Sequence, residues 1–591
     1  MCGICGEVKF KGAEADLDAV SKMSGCMVQR GPDADGLVKR GRIAFGHRRL
    51  KIIDFTEAAQ QPMVDAELGL TLVFNGAIYN YPELRAELQG HGYRFFSHGD
   101  TEVILKAFHK WGPECVKRFN GMFAFAIHDR DSGRVVLARD RVGIKPLYYT
   151  RTADTFRFAS TLPALLKAGG TNTAIDPVAL NHYMSFHSVV PPDRTILKGV
   201  KKLPPGTIAT LEPDGRLDLK SYWTLDYGTR SDQAAWSKDD WIEATLDVMR
   251  RAVKRRLVAD VPVGVLLSGG LDSSLITGLI CEQGHSALET FSIGFETVGK
   301  EVGDEFKYSD IIAKKFGTSH HQLFIDSTRA LPSLRDCIGQ MSEPMVSHDN
   351  IGFYLLSQEV AKHVKVVQSG QGADEIFGGY HWYPPMLDSK NAIDTYAKHF
   401  FDRDFAGYKD AVHPSLVDAD HARAFVQAHF ARPGADQPID QAMRLDALVM
   451  LVDDPVKRVD NNTMAASLEA RVPFLDHEVI EFAATVPAHL KIADGGKYIL
   501  KEAGRRVIPS EVIDRPKGYF PVPALKYLRG DFLDMARDAV TNTAARQRGL
   551  FNQPYVEKLL AAPEDHITPL GGSELWQIAL LELWLQHHVD A

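Results

Sequence analysis

The sequence predicts two structural classes in one chain: an α+β first half with layered, largely antiparallel sheets, and an α/β second half with a doubly wound parallel sheet and a helical C-terminal part. Up to about residue 160, short β-rich runs follow one another with few helices between them, which is typical of antiparallel sheets. From about residue 241, apolar runs alternate with helical patterns, which favours parallel strands joined by crossover helices. Beyond about residue 385 the patterns are mostly helical.

The elements follow from these patterns in chain order. In the first half we expect strands at Ile43–Phe45, Thr71–Phe74, Ala124–His128, Val135–Ala138 and Thr207–Leu211, and helices at Ala15–Met27, Tyr81–Gly90 and Thr101–Trp111. In the second half we expect helix Trp241–Val258, strand Val261–Leu267, helix Ser273–Glu282, strand Thr290–Phe295, helix Asp310–Phe316, strand Gln322–Ile325, helix Phe353–Lys362 and strand Val364–Gln368. A polar stretch at 227–240 has the composition of a linker, so we predict domains at 1–226 and 241–591.

Composition excludes several functional classes. The chain has 591 residues, 45% of them hydrophobic and 24% charged, as in ordinary globular proteins. Its formal net charge of −8 and the lack of a basic stripe argue against a nucleic-acid partner. We find no long apolar run and no targeting segment, so we expect a cytoplasmic protein without a membrane partner. Six cysteines are too few for a disulfide scaffold.

Cys2 is the first candidate for chemistry. Removal of the initiator methionine would give this residue both a thiol and a free α-amine, so one residue would carry a nucleophile and its base. This is the N-terminal-nucleophile arrangement. For an isolated Cys2, a chance cysteine in a first strand is the alternative. A zinc site with Cys5 is disfavoured, because no second Cys/His pair at metal spacing accompanies the Cys-x-x-Cys.

Five separated motifs strengthen the case for Cys2: Met1-Cys2-Gly3-Ile4-Cys5-Gly6, Arg30-Gly31-Pro32-Asp33, Gly46-His47-Arg48-Arg49-Leu50, Asn75-Gly76-Ala77-Ile78-Tyr79-Asn80 and Gly99-Asp100-Thr101-Glu102. In this order they resemble the class II glutamine amidotransferase domain over about residues 1–200. The resemblance implies that Cys2 attacks the side-chain amide of glutamine and releases ammonia. It also implies that Arg49 binds the glutamine α-carboxylate, that Asp100 binds the α-ammonium, and that Asn75 and Gly76 form the oxyanion hole.

The first half departs from that domain at one position. Relatives usually carry Glu where Ala77 stands in the Asn75-Gly76 motif. A carboxylate that helps to bind substrate is therefore missing, and Asp100 would bind the ammonium alone. We expect weaker or differently tuned glutamine binding.

The strongest motif of the second half joins a hydrophobic strand to a helix through Leu267-Ser268-Gly269-Gly270-Leu271-Asp272-Ser273-Ser274. Glycines let the backbone approach a phosphate, and the N–H groups and hydroxyls that begin a helix bind the anion. The segment lacks the Gly-Lys-Ser/Thr end of a Walker A loop. It resembles the PP-loop of ATP pyrophosphatases, which adenylate a carboxylate and expel pyrophosphate. A plain glycine turn is the alternative for a bare Ser-Gly-Gly.

A second acidic motif, Ser369-Gly370-Gln371-Gly372-Ala373-Asp374-Glu375, follows another strand. Strand ends of a doubly wound sheet converge, so Asp272 and Asp374 are predicted to share Mg²⁺ with the triphosphate. The predicted ATP site comprises Leu267, Ser268, Gly269, Gly270, Asp272, Ser273, Ser274, Ile293, Ser369 and Gly370. Lys517, in Arg515-Pro516-Lys517-Gly518, is our candidate for stabilising the departing pyrophosphate, with a solvated surface lysine as the alternative.

With Glu469-Ala470-Arg471-Val472-Pro473-Phe474-Leu475-Asp476, these motifs resemble the glutamine-hydrolysing asparagine synthetase family over nearly the whole chain. The resemblance implies ATP and Mg²⁺ as cofactors, glutamine as nitrogen donor and a small carboxylic acid as acceptor. It also implies an acyl-adenylate that ammonia converts to an amide, with AMP, pyrophosphate and glutamate as the other products. The sequence leaves the oligomeric state open, and a homodimer is compatible with it.

The acceptor site departs from the family. Gln371 stands where relatives carry an acid, and Ser347 stands where they often carry Asp; with Glu375 these residues are predicted to line the acceptor site. The same departures are similar to the N-acetylglutaminylglutamine amidotransferase branch, which implies a small acylated dipeptide as acceptor. Free L-aspartate is the alternative. A non-synthetic remnant and a β-lactam synthetase-like cyclase are disfavoured, because Cys2, Arg49 and the PP-loop are intact.

Overall fold

The computed structural model describes residues 2–285, 287–294, 306–515 and 528–590. Its first half contains twelve described strands in two antiparallel sheets. The strands are β1 Gly3–Lys9, β2 Ala34–Arg40, β3 Ile43–Arg49, β4 Met63–Asp65, β5 Leu70–Ile78, β6 Gly121–Asp129, β7 Val135–Arg139, β8 Tyr148–Arg151, β9 Thr155–Ala159, β10 Lys201–Lys202, β11 Thr207–Leu211 and β12 Leu217–Ser221. The helices are α1 Leu17–Gly25, α2 Tyr81–Gly90, α3 Asp100–Trp111, α4 Leu162–Lys167 and α5 Pro177–Ser185.

These two sheets pack face to face and confirm the layered α+β prediction. The first has the order β10-β8-β9-β1-β3-β2 and the second the order β12-β11-β7-β6-β5-β4. Ile4, Phe45 and Phe158 of the first sheet and Val73 and Leu137 of the second belong to one buried cluster between them. The first strand, which directly follows Cys2, is thereby fixed in the core.

The second half has the predicted parallel sheet, in the order β15-β14-β13-β16-β17. Up to residue 377, the helices and strands of this half are α6 Lys238–Arg255, β13 Val263–Leu266, α7 Leu271–Cys281, β14 Glu289–Gly294, α8 Phe306–Phe316, β15 Ser319–Phe324, α9 Ala330–Gln340, α10 Asn350–Val360, β16 Val366–Gln368 and α11 Ala373–Phe377. All pairings in this sheet are parallel. The strand ends that carry Leu267 and Ser369 therefore lie at one edge of the sheet.

The helical C-terminal part is confirmed, with one exception that the sequence did not predict. Strand β17, Glu469–Arg471, pairs with β16 and closes one side of the parallel sheet. The helices are α12 Ala392–Phe400, α13 Phe405–Ala411, α14 His421–Phe430, α15 Pro438–Leu445, α16 Lys457–Met464, α17 His477–Thr485, α18 Ala488–Ile492, α19 Tyr498–Gly504, α20 Ser510–Ile513, α21 Gly530–Thr541, α22 Thr543–Arg548, α23 Gln553–Ala561 and α24 Glu574–His588. Among the described residues, none of the helices has both the length and the apolar composition required to cross a bilayer.

The stretch predicted as a linker is tied to the second half. The N–H of Tyr227 donates to the carbonyl of Gly434, and the N–H of Gly228 donates to that of Ala484. Helix α6 begins at Lys238, three residues before the predicted start. The reason is a capping box, in which Ser237 and Asp240 satisfy each other's backbone N–H groups.

Candidate active sites

A small pocket lies between the two halves. Four residues predicted for glutamine chemistry line it, namely Cys2, Arg49, Gly76 and Asp100. Two further lining residues, Glu469 and Arg471, come from β17 of the second half. The structure thus brings together side chains from both ends of the sequence.

Cys2 is held at the pocket by hydrogen bonds of its backbone. Its N–H donates to Asn75 Oδ1 at 3.0 Å, and its carbonyl accepts from Arg30 Nε at 3.3 Å. Burial raises the pKa of the Cys2 thiol above its ordinary value. The thiol is therefore protonated at neutral pH, and a base must remove its proton before it can act as a nucleophile.

Asn75 and Gly76 lie on β5, opposite Ala124 and Phe123 of β6. The Nδ2 of Asn75 is buried and has no hydrogen-bond partner among the described residues. A buried unsatisfied donor is costly unless a ligand accepts from it. Gly76 has a φ of +154°, and a Cβ there would lie 2.1 Å from the carbonyl oxygen of Met122. Only glycine fits between these strands, so the backbone is exposed to the pocket at this position.

Arg49 and Asp100 provide opposite charges at the pocket wall. The guanidinium of Arg49 donates to the carbonyls of Asp54 and Thr56, which orient the side chain. Asp100 begins α3, and its Oδ2 accepts from the N–H of Ile78 at 3.0 Å. Burial raises the pKa of Asp100 to about 6. This carboxylate is thus ionised at neutral pH and becomes neutral in mild acid.

The first predicted nucleotide motif, residues 267–274, forms a tight loop between β13 and α7. The Ser268 N–H donates to Ser273 Oγ at 3.2 Å, and the Gly270 N–H donates to Ser268 Oγ at 3.3 Å. Gly269 has a φ of +74°, and a Cβ there would lie 2.6 Å from the nitrogen of Ser309. The backbone N–H groups and hydroxyls at the start of α7 are the kind that bind a phosphate. The buried Ser274 hydroxyl lacks a partner within the described chain.

The second nucleotide motif packs directly on the first. A Cβ on Gly370 would lie 3.0 Å from the Cβ of Asp272, so the two loops are in contact. Ser369 is buried, and its N–H donates to the carbonyl of Arg471 at 2.9 Å. Ile293, the last predicted ATP residue, lies on β14, which pairs with β13. The remaining predicted position, Lys517, lies outside the described residues.

Asp272 and Asp374 converge as predicted, but they converge on a lysine. Lys497 Nζ lies 2.9 Å from Asp272 Oδ2 and 3.1 Å from Asp374 Oδ1. The two carboxylates hold the pKa of Lys497 above its ordinary value despite its burial. A pair of half-buried carboxylates suits Mg²⁺, which takes one or two protein carboxylates and completes its shell with phosphate oxygens and water. No group of three or more His, Cys, Asp or Glu side chains is arranged for a metal within the described ranges.

The predicted acceptor residues form two groups. Gln371 Oε1 accepts from the Ser369 hydroxyl, and Glu375 accepts from the Tyr380 hydroxyl at 2.8 Å. Burial, with the nearby Asp374 as a second cause, raises the pKa of Glu375 to about 8, so this side chain is largely neutral at pH 7.

Ser347 lies in the second group. Its hydroxyl donates to Asp349 and accepts from Arg458, and Arg458 Nη1 lies 2.6 Å from Asp349 Oδ1. Asp454 lies 3.9 Å from Arg458, and its charge helps to raise the pKa of Tyr380. Asp454 therefore interacts electrostatically with both groups of predicted acceptor residues, through Arg458 and through Tyr380.

Comparison with known proteins agrees with this geometry. The glutamine amidotransferase domain model matches residues 1–223, and the asparagine synthase model matches residues 244–586. Asparagine synthetase [glutamine-hydrolyzing] 1 from Bacillus subtilis is 31% identical over 100% of this chain and 97% of its own length. A putative asparagine synthetase [glutamine-hydrolyzing] from Mycobacterium bovis is 32% identical over 99% and 97%. The chain belongs to the glutamine-hydrolysing asparagine synthetase family.

This asparagine synthetase homologue is therefore a glutamine-dependent amidotransferase and a carbon–nitrogen ligase. Among solved structures, the glutamine PRPP amidotransferase from B. subtilis matches at a TM-score of 0.30 and 14% identity, over 63% of this chain and 82% of that one.

Three features of the sites were missed by the sequence reasoning. Lys497 follows Gly495-Gly496 and has a φ of +53°, so a lysine after a double glycine was the only local signal. Glu469 and Arg471 lie in a motif that supported the family resemblance, but no site role was assigned to them. Tyr380 follows Gly378-Gly379 and was not singled out.

The halves of this family member also meet through buried charges next to Cys2. Arg30, which donates to the Cys2 carbonyl, pairs with Asp460 of α16 at 3.0 Å. Lys145 pairs with the other oxygen of Asp460 at 3.1 Å. A second, narrow interface cavity lies beside this cluster, and its lining includes Tyr148, Lys202, Asp453, Lys457, Asp460 and Asn461.

Proposed function

We propose that glutamine hydrolysis occurs in the pocket between the two halves, with Cys2 as the nucleophile. The thiol attacks the side-chain amide carbon of glutamine, ammonia leaves, and water hydrolyses the resulting thioester to glutamate. The α-amine of Cys2 takes the thiol proton, which requires removal of Met1. Intact-mass measurement tests this point, because retention of Met1 would block the proposed base.

The surrounding residues stabilise this chemistry. Arg49 binds the α-carboxylate of glutamine, and Asp100 binds its α-ammonium. The orphaned Nδ2 of Asn75 and the N–H of Gly76 bind the oxyanion that forms during attack. The buried, unsatisfied donor of Asn75 is the observation that carries this assignment.

At the second site the acceptor carboxylate attacks the α-phosphorus of ATP and displaces pyrophosphate, which gives an acyl-adenylate. Residues 267–274, with Ile293, Ser369 and Gly370, bind the nucleotide. Mg²⁺, held by Asp272 and Asp374, would neutralise phosphate charge. Lys497 lies between these carboxylates and provides a fixed positive charge for the phosphates. Lys517 is proposed for the same task on the pyrophosphate.

Ammonia then moves from Cys2 to the adenylate inside the protein. Ammonia released into water at neutral pH becomes ammonium, which is not nucleophilic. The interface cavity is lined by Asp460 of α16, the helix that also carries Arg458, and Asp460 binds Arg30, which donates to the Cys2 carbonyl. We place the route for ammonia along this cavity.

The acceptor we propose is a small acylated dipeptide such as N-acetylglutaminylglutamine. The observation that carries this proposal is the neutral side chain at Gln371 and Ser347. An acylated acceptor has no α-ammonium and needs no carboxylate at these positions, whereas free L-aspartate does.

L-Aspartate is the second candidate, because the full-length relatives are named asparagine synthetases. Pyrophosphate and AMP release with each acid distinguishes the two. We expect faster release with the acylated dipeptide than with aspartate. Stronger release with aspartate would overturn the acceptor proposal, and ADP with phosphate as products would overturn adenylation.

The domain limits of 1–226 and 241–591, a cytoplasmic location, a homodimer and the lack of a nucleic-acid partner stay predictions from the sequence. Size-exclusion chromatography with light scattering tests the dimer.

A further inference from the structure

Strand β17 brings two charged side chains of the second half to the glutamine pocket. Side chains alternate along a strand, so Glu469 and Arg471 share one face while Ala470 faces the other way. Ala470 packs in an apolar cluster of the second half with Val367 and Leu468. Glu469 and Arg471 line the pocket that also contains Cys2 and Ala77.

Glu469 is held as a carboxylate in this buried position. Its Oε1 accepts from Arg471 Nε at 2.6 Å, and Arg471 Nη1 is anchored by the carbonyls of Arg256 and Val258 at 2.8 Å each. Although burial opposes ionisation, nearby positive charges, those of Arg471 and Lys145 among them, hold the pKa of Glu469 below its ordinary value. A buried charge that is kept ionised by its surroundings is suited to bind a cation.

The charges in the pocket indicate which cation. Arg49 is predicted to bind the carboxylate of the amino-acid substrate, so the α-ammonium must find negative charge elsewhere in the same pocket. Ala77 offers only a methyl group. Asp100 is close enough to Glu469 for the charge of Glu469 to contribute to its raised pKa. Glu469 and Asp100 are therefore two carboxylates that act on one small space.

We propose that Glu469 is a glutamine-binding residue that contacts the substrate α-ammonium together with Asp100, in place of the carboxylate that is missing at Ala77. This inference rests on the proposed glutaminase function. It means that the glutamine site is complete only when the second half is docked on the first. The connection is short, because the Arg471 carbonyl accepts from Ser369 of the nucleotide loop.

The test is the KM for glutamine of the full-length E469Q enzyme, measured as glutamate release. The amide can still accept from Arg471 Nε, so the change removes charge with little change in shape. We expect KM to rise about 10- to 100-fold with a smaller change in kcat, as for loss of one hydrogen bond to a charged group. Ammonia-dependent pyrophosphate release checks that the variant is folded.

Two further variants make the test specific. E7Q removes another buried carboxylate that pairs with an arginine Nε, at 2.7 Å from Arg157, and should leave KM within about twofold because Glu7 is not part of the pocket lining. The double variant A77E/E469Q returns a carboxylate to the same pocket and should recover most of the lost affinity.

Each outcome decides between the inferences. An unchanged KM in E469Q, a fall in kcat alone, or a double variant no better than E469Q would each overturn the role of Glu469. If the unaltered enzyme released no glutamate from glutamine, the proposed glutaminase function itself would be wrong.

Discussion

The proposed glutamine pocket and the proposed nucleotide site are built in opposite ways. The first is made from strand residues and their immediate neighbours: Cys2, Arg49 and Asn75 are almost completely buried, Arg49 and Asn75 lie in antiparallel strands, and Cys2 directly precedes β1. The second is made from loops at the carboxyl ends of parallel strands, and the side chains of Asp272 and Asp374 are each 21% exposed. The difference suits their tasks, because the first must retain ammonia while the second must admit ATP and an acid.

Substitution of Cys2 should separate the two sites most strongly. Cys2→Ala removes the only proposed nucleophile, so glutamine-dependent amide formation should fall at least about 1,000-fold. Ammonia-dependent formation should persist, because the nucleotide site has its own residues. Rates with each nitrogen source measure both effects. Equal loss with both sources in a folded variant would contradict the division between the sites.

Lys497 should give the reciprocal result. Lys497→Ala removes the ammonium that pairs with both Asp272 and Asp374. We expect pyrophosphate release to fall about 100- to 1,000-fold with either nitrogen source. Glutamate release from glutamine should change little.

The matched control for this variant is Lys501→Ala, on the helix α19 that Lys497 caps. The Lys501 ammonium contacts Asp494. Pyrophosphate release should stay near the unaltered rate in that control. If it fell as far as in the Lys497 variant, general damage to α19 would explain both results.

The pH dependence of glutamine binding should sharpen the comparison further. Burial raises the pKa of Asp100 to about 6, so this carboxylate is ionised above pH 6 and neutral below it. The KM for glutamine should therefore rise as the pH falls through about 6, by up to tenfold per unit. In Asp100→Asn this dependence should disappear. Persistence of the same limb in that variant would assign it to another group.

The smallest effect should come from the contact between the halves. Asp460→Asn weakens the pairs with Arg30 and Lys145 beside Cys2. We expect glutamate release to continue while the amide formed per glutamate falls about two- to fivefold, because ammonia escapes at a loosened interface. A ratio equal to that of the unaltered enzyme would show that this cluster does not control transfer.

The fold and the site residues could be predicted from the sequence to different extents at the two sites. The motifs at Cys2, Arg49, Asn75 and Asp100 indicated the proposed glutamine site, and the alternation of strands and helices from about residue 241 predicted the parallel sheet. Local patterns carry such information because strands and loops are local. Strand β17 was missed because three residues give no periodicity to detect.

Contacts between distant segments could not be predicted. Glu469 lines the same pocket as Cys2 although more than 460 residues separate them in the sequence. Lys497 pairs with Asp272, which lies 225 residues earlier. These positions depend on how the two halves dock and on how α19 packs. The spacing of motifs in the sequence predicts neither the docking of the halves nor the packing of α19. The sequence did predict that Asp272 and Asp374 converge, but it did not predict that a lysine lies between them.

The central claim is that one protein makes ammonia at Cys2 and uses it, without release, at the nucleotide site. The direct measurement is isotope competition. The enzyme is supplied with ATP, the acceptor acid that supports pyrophosphate release, glutamine labelled with ¹⁵N in its side-chain amide, and excess unlabelled ammonium. We expect the amide product to be mostly ¹⁵N-labelled. Dilution of the label to the isotope ratio of the solution would contradict internal transfer.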